Sequence, residues 1–251
     1  MDQIVQYLEP IFRWYHIFFG ILWIGILYWF NFVNIPFAGT MDGDTKRKVI
    51  PELLPRALFW FRWGAAYTWI LGILLLGLVY EYQSVAVGTA SQWTGGNHGL
   101  FWSFLLAPFI YDFIAKSIKD PKMMAGVGYV LIFAVVFLMQ SAGFAYRGYI
   151  MYMGAMFGSI MAYNVWFRIW PNQQKIITAI KNGTAPDAAL AAQTGMRSKH
   201  NTYLSVPLVW AMINAHTSGY AGSWIYFPIV VLVGWFGTMQ MFKRAGKVKG
   251  F

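Results

Sequence analysis

The stretch Ile11–Asn34, reading IFRWYHIFFGILWIGILYWFNFVN, leaves this chain few ways to fold. It is long enough to cross a bilayer, which takes ~20 residues at ~1.5 Å of rise each. Only Arg13 and His16 interrupt it before Asn31 and Asn34. It does not read as a signal-peptide core. The preceding residues carry Asp2 and Glu9 with no basic residue, and no small-residue cleavage site follows. The stretch is expected to remain as a membrane span.

The rest of the chain has the same character. Of its 251 residues, 58% are hydrophobic and 11% charged, whereas a soluble domain carries about 25% charged residues. Thirteen Trp, fifteen Tyr and twenty-one Phe suit interfacial belts and packing against lipid. The absence of cysteine excludes disulfides, thiolate metal sites, iron–sulfur clusters and a c-type haem attached through CxxCH. The hydropathy pattern predicts an all-α polytopic membrane protein, one bundle of about seven helices forming a single domain over 1–251. The expected spans are 11–34, 57–80, 99–118, 124–145, 148–170, 201–218 and 223–242, with Pro171 closing the fifth. An Ala-rich helical piece is expected at Asp187–Gln193, in the longest loop.

The net charge of +10 is explained by topology rather than by nucleic acid. With the N-terminus outside and the C-terminus cytoplasmic, all Lys and Arg except Arg13 and Arg147 lie in or beside cytoplasmic segments, as the positive-inside rule expects.

Ionisable residues within spans face partners or cavities. His16 and His216 lie at similar depth towards the outer face, on the first and sixth spans. Two imidazoles on different helices can ligate one haem iron axially, which makes a b-type haem a hypothesis for this pair. Gly20, one turn from His16, would leave a flat patch for a planar cofactor. Arg13 and Arg147 are placed to meet haem propionates. The plain alternative has both histidines bonding water or backbone. A copper site from His16, His98 and His216 is a further alternative, unsupported by any HxH or HxxxH spacing. The methionines of Met151-Tyr152-Met153-Gly154-Ala155-Met156 read as packing rather than as Cu(I) ligands.

A second polar group is expected at the cytoplasmic ends: Asn31, Asn34, Arg62, Asp112, Asn164, Arg168, His200 and Asn201. Asp112 and Lys116, four apart on one helix, are expected to pair. The group reads either as a substrate pocket or as a structural network that pins helix ends.

Four stretches carry a family resemblance: HIFFGILWIGILYWFNFVNIP (His16–Pro36), RALFWFRWGAAYTWILG (Arg56–Gly72), NVWFRIWPNQQKII (Asn164–Ile177) and RSKHNTYLSVPLVWAMINAH (Arg197–His216). Together they resemble the membrane domain of the cytochrome c-linked urate oxidases, or urate hydroxylases. The resemblance implies a multi-pass oxidoreductase of the bacterial inner membrane that passes electrons to cytochrome c. The motif residues it matches are His16, Arg62, Trp63, Asn164, Trp166, Pro171, Asn201 and His216. In that family a cytochrome c domain follows the membrane domain. Here the seventh span is expected to end in the cytoplasm and no CxxCH occurs, so either a separate cytochrome c would take that part or this member keeps the scaffold without the reaction. Two other classes remain open: an anion or purine transporter or channel using the Arg62/Asn164/Arg168 group, and a non-catalytic assembly subunit of a homo-oligomer or larger membrane complex.

Overall fold

A computed structural model describes residues 2–87, 93–215 and 223–249. Among these residues the chain forms seven helical rods and no strand. They are α1 (residues 2–40), α2 (Gly43–Glu81), α3 (Gly95–Ser117), α4 (Pro121–Ser141), α5 (residues 146–181), α6 (Ala188–Asn214) and α7 (Tyr226–Ala245). The first four are long and apolar enough to cross a membrane on length and composition. This is an all-α membrane protein.

Local chemistry sets the helix starts. Asp42, Asp120 and Asp187 each accept a hydrogen bond from a free backbone N–H of the first turn, of α2, α4 and α6 in that order. The rods are longer than the expected spans. From Ile4, α1 runs 37 residues to Thr40, about 55 Å at 1.5 Å per residue, well beyond a ~30 Å hydrocarbon layer. The gap of 35–56 between the first two expected spans shrinks to Met41 and Asp42, because α1 runs on to Thr40 and α2 starts at Gly43. The Ala-rich piece at Asp187–Gln193 is the first turns of α6 rather than a separate helix.

Two prolines expected to end or follow a span lie inside rods, for one physical reason. A proline clashes with the carbonyl four residues back and gives no N–H. Ahead of Pro36 the chain makes a π turn over Phe30–Asn34, with the Ile35 N–H reaching back to the Phe30 carbonyl. Ahead of Pro171 it does the same over Val165–Ile169, with the Trp170 N–H bonding the Val165 carbonyl. The wider turn accommodates the ring, so α5 continues to Lys181 instead of stopping at Pro171.

The centre of the bundle is α5, which packs against α2, α3, α4 and α6. Met151, Met153, Met156 and Met161 are buried on it, as packing residues would be. The start of α5 is pressed onto the segment that follows α2. Ala145 N–H donates to the Ala86 carbonyl at 2.9 Å, and a Cβ on Gly148 would fall 2.2 Å from that same oxygen. Only glycine fits there. Antiparallel packing gathers Glu9, Arg13, His16, Glu81, His98 and Arg147 towards one pole of the bundle. Asn31, Arg62, Asp112, Arg168 and Arg197 lie towards the other.

Candidate functional site

His16 is half-buried between α1 and α2, and its Nδ1 lies 2.8 Å from the Thr68 carbonyl oxygen. A carbonyl can only accept, so the proton is on Nδ1 and the Nε2 lone pair is left free. The contact depends on Gly72, whose Cβ, if it had one, would lie 3.0 Å from His16 Cε1. The flat surface beside the imidazole is therefore Gly72 on the neighbouring helix. Gly20, where the sequence places it, instead faces the methyl group of Thr68, at 3.8 Å from a built Cβ.

The other residues of this pole are spread over several contacts. Arg13 pairs with Glu9 at 2.5 Å, and Gln83 donates to the second oxygen of that carboxylate. Arg147 donates its Nε–H to the Ala215 carbonyl at 2.9 Å, tying the start of α5 to the end of α6. His98 bonds Glu81 at 2.7 Å and stacks on Trp93, while Trp102 donates to the other oxygen of Glu81. His98 is thus held by a carboxylate and a ring on its own side of the bundle. His216 lies outside the described residues, as does any contact between it and His16. Among the described residues no group of three or more His, Asp or Glu could hold a metal ion.

At the opposite pole the polar residues converge. Asp112 receives Arg168 through two bonds, Nε to Oδ1 at 2.8 Å and Nη2 to Oδ2 at 2.5 Å. It also receives Lys116 at 2.8 Å, the pair expected from the sequence, and Arg197 at 2.9 Å. Arg197 is wholly buried, spans Asp112 and the Asn164 side-chain oxygen, and lies 5.0 Å over the Tyr111 ring. Asn164 passes the network to Asn201 at 2.8 Å, and Asn201 donates to the Met161 carbonyl. Tyr111 links His200 at 2.8 Å and Asn164 at 3.3 Å. Nearby, Asn31 of α1 donates to the Ser198 hydroxyl of α6 at 2.9 Å. Of the residues read from the sequence, Asn164, Arg168, His200, Asn201 and Asp112 come together here.

Arg62 does not join them. Its guanidinium sits 4.1 Å over the Trp170 ring, with Trp166 at 5.7 Å and Phe59 at 5.8 Å. The residues that sequence reading missed are Arg197 and Tyr111. Arg197 stood in an expected loop, yet Thr194, Arg197, Ser198, Asn201, Thr202 and Ser205 recur at helical spacing, and all six are buried. That polar stripe, read as a helix face, is the signal that would have found it.

Residues 37–247 match the family model described as the urate oxidase N-terminal domain. The chain belongs to that family. Three of the four resembling stretches lie within the match; His16–Pro36 ends just before it. Both arms of the Asp112 network, from Tyr111 to Asn201, lie inside the urate oxidase N-terminal region, and His16 lies outside it. No curated protein and no solved structure matches the chain.

Proposed function

We propose that this urate oxidase-like membrane domain is part of a redox assembly of the bacterial inner membrane, holding a b-type haem near the outer face and passing electrons to a cytochrome c. One observation carries the reading: the Nδ1–H of His16 is spent on the Thr68 carbonyl, which leaves Nε2 as the free ligating atom. Metal-bound histidines show this pattern, with the second ring nitrogen donating to a carbonyl that fixes tautomer and orientation. His16 and His216 would hold the haem iron. The Thr68 carbonyl holds the imidazole in its tautomer, and Gly72 gives the ring room to reach it. Arg13, which would have to share its pairing with Glu9, and Arg147, whose Nε–H holds Ala215, stand at the same pole as cations for propionate groups. When bound, the haem would supply one-electron transfer. The test is an absorbance spectrum of the purified protein, as isolated and after reduction. A Soret band with resolved α and β bands, lost in His16→Ala, is the expected result. A flat visible spectrum with no iron by elemental analysis overturns the reading.

A second reading, passage or binding of an anion such as a purine, rests on a different observation. Three cations, Lys116, Arg168 and Arg197, meet one carboxylate, Asp112. The positive excess suits an anion. Proteoliposomes that take up labelled urate without any redox partner would support it, and their failure to do so would remove it.

A further inference from the structure

The last turn of α2 carries a buried hydroxyl that no contact of the fold uses. A π turn over Leu76–Glu81 closes there, with the Tyr82 N–H on the Gly77 carbonyl, and it buries Val79 and Tyr80 side by side. Beyond it the Ala86 N–H returns to the Tyr80 carbonyl at 3.1 Å, and the Ala86 carbonyl receives the Ala145 N–H. These two contacts bring Tyr80 to the start of α5, where Arg147 stands. Tyr80 is 4% exposed, and its hydroxyl has no hydrogen-bond partner. A buried O–H without an acceptor costs free energy, so the group calls for one.

The charges around the phenol say which kind. Arg147 acts on it most strongly, Arg13 next, and Glu9 with the opposite sign. Glu9 holds Arg13 with one oxygen and Gln83 with the other. Arg147 has the neutral Ala215 carbonyl on its Nε–H and makes no ion pair among the described residues. A guanidinium donates and never accepts. However the Arg147 fork turns towards Tyr80, the phenol proton is left over, and two donors share one missing acceptor. An anion with oxygen acceptors satisfies both. The single uncompensated charge of Arg147 matches a singly charged group, and its planar fork matches the two oxygens of a carboxylate.

We infer that Tyr80 and Arg147 form a carboxylate-binding site at the His16 pole. The phenol O–H and the guanidinium donate to the same carboxylate, and Arg13 adds positive charge from α1. The carboxylate has two possible sources, a propionate of the haem proposed above or a free carboxylate ion, and only the first rests on the haem reading.

The test compares the full chain in detergent with Tyr80→Phe, which keeps the ring and removes only the hydroxyl. Thermal melts in sodium propionate, propionamide, sodium phosphate or sodium chloride read the free ion. Absorbance titrations with haem and with haem dimethyl ester, whose carboxylates are blocked, read the cofactor. Without ligand, Tyr80→Phe should melt at the wild-type temperature or above it, because an unpaired buried hydroxyl is gone. For a propionate, the wild type should prefer haem over its ester, and Tyr80→Phe should lose about tenfold of that preference. For a free ion, propionate should raise the wild-type midpoint, and the rise should vanish in Tyr80→Phe even where neither protein binds haem. That outcome upholds the carboxylate site and removes the haem. The proposal is overturned if Tyr80→Phe leaves both effects unchanged or if the wild type shows neither. Haem binding equal in the two proteins would then leave the haem reading standing. Propionamide, phosphate or chloride protecting the wild type as well as propionate does also overturns the free-ion site, since the protection would not be that of a carboxylate. A lower ligand-free midpoint in Tyr80→Phe overturns it too, because the hydroxyl would then be engaged within the fold.

Discussion

The two poles of the bundle hold polar residues in opposite ways. At the Asp112 pole, side chains from α3, α5 and α6 lock onto one another, and the single carboxylate is shared by three cations. At the His16 pole the contacts are dispersed: His16 and Arg147 bond the backbone carbonyls of Thr68 and Ala215, while Glu9 and Glu81 each hold a separate small group of side chains. A carbonyl is present at every residue, so a bond to it orients one group and asks nothing of its neighbour's side chain. A shared carboxylate makes every member depend on every other. The first arrangement leaves a ring nitrogen free for chemistry; the second fixes three helices in one register.

The largest effect should follow from breaking the shared carboxylate. Asp112→Asn leaves the buried Arg197 and the bidentate Arg168 without their anion, a loss of about 3–5 kcal/mol for a buried pair. A fall in the thermal midpoint in detergent would show it, and a second change, Arg197→Met, should recover part of the loss. If Asp112→Asn were as stable as the parent, the network would not be what holds this pole together.

At the His16 pole, two glycine substitutions separate orientation from stability. Gly72→Ala puts a methyl 3.0 Å from the imidazole and should displace it, with an overpacking penalty of about 1–3 kcal/mol. Gly20→Ala meets only ordinary contact at 3.8 Å and should be neutral or gain up to about 1 kcal/mol of helix propensity. Thermal melts of the pair check both signs, and the imidazole NMR shifts of His16 should move in Gly72→Ala alone.

The smallest effect belongs to the link between α1 and α2, outside both clusters. The Thr45 backbone N–H and then its hydroxyl hold the Asp42 carboxyl below its usual range. A depressed folded value means the cap contributes fully above the ordinary carboxylate pKa of about 4 and fades as pH falls through the lowered one. Asp42→Ala should therefore lower the melting midpoint slightly at neutral pH and flatten its decline in acid.

Much of this organisation was legible in the amino acids. Apolar runs mark out the rods, and the i, i+4 spacing of Asp112 and Lys116 announces their pair. Asn164, Arg168, His200 and Asn201, each interrupting an apolar helix on the same side, meet in the structure. Arg62 was gathered with them and stands apart, since depth along a helix says nothing about the face on which a residue lies. Arg197 was hidden by a loop assignment, and Pro171 by the rule that proline ends helices. Both failures have one source: tertiary packing carries helices through local signals that would stop an isolated peptide.

The π turn over Val165–Ile169 also makes the length of α5 part of its code. One extra residue in the turn sets the phase of everything beyond it, placing Trp170 under Arg62 and Asn172 against Gln193. Phe167, within that turn, is 61% exposed and its side chain is free to vary. Its presence is not: deleting it would turn the following segment by about 100° and dissolve both contacts. At this position the protein reads the number of residues and ignores the letter.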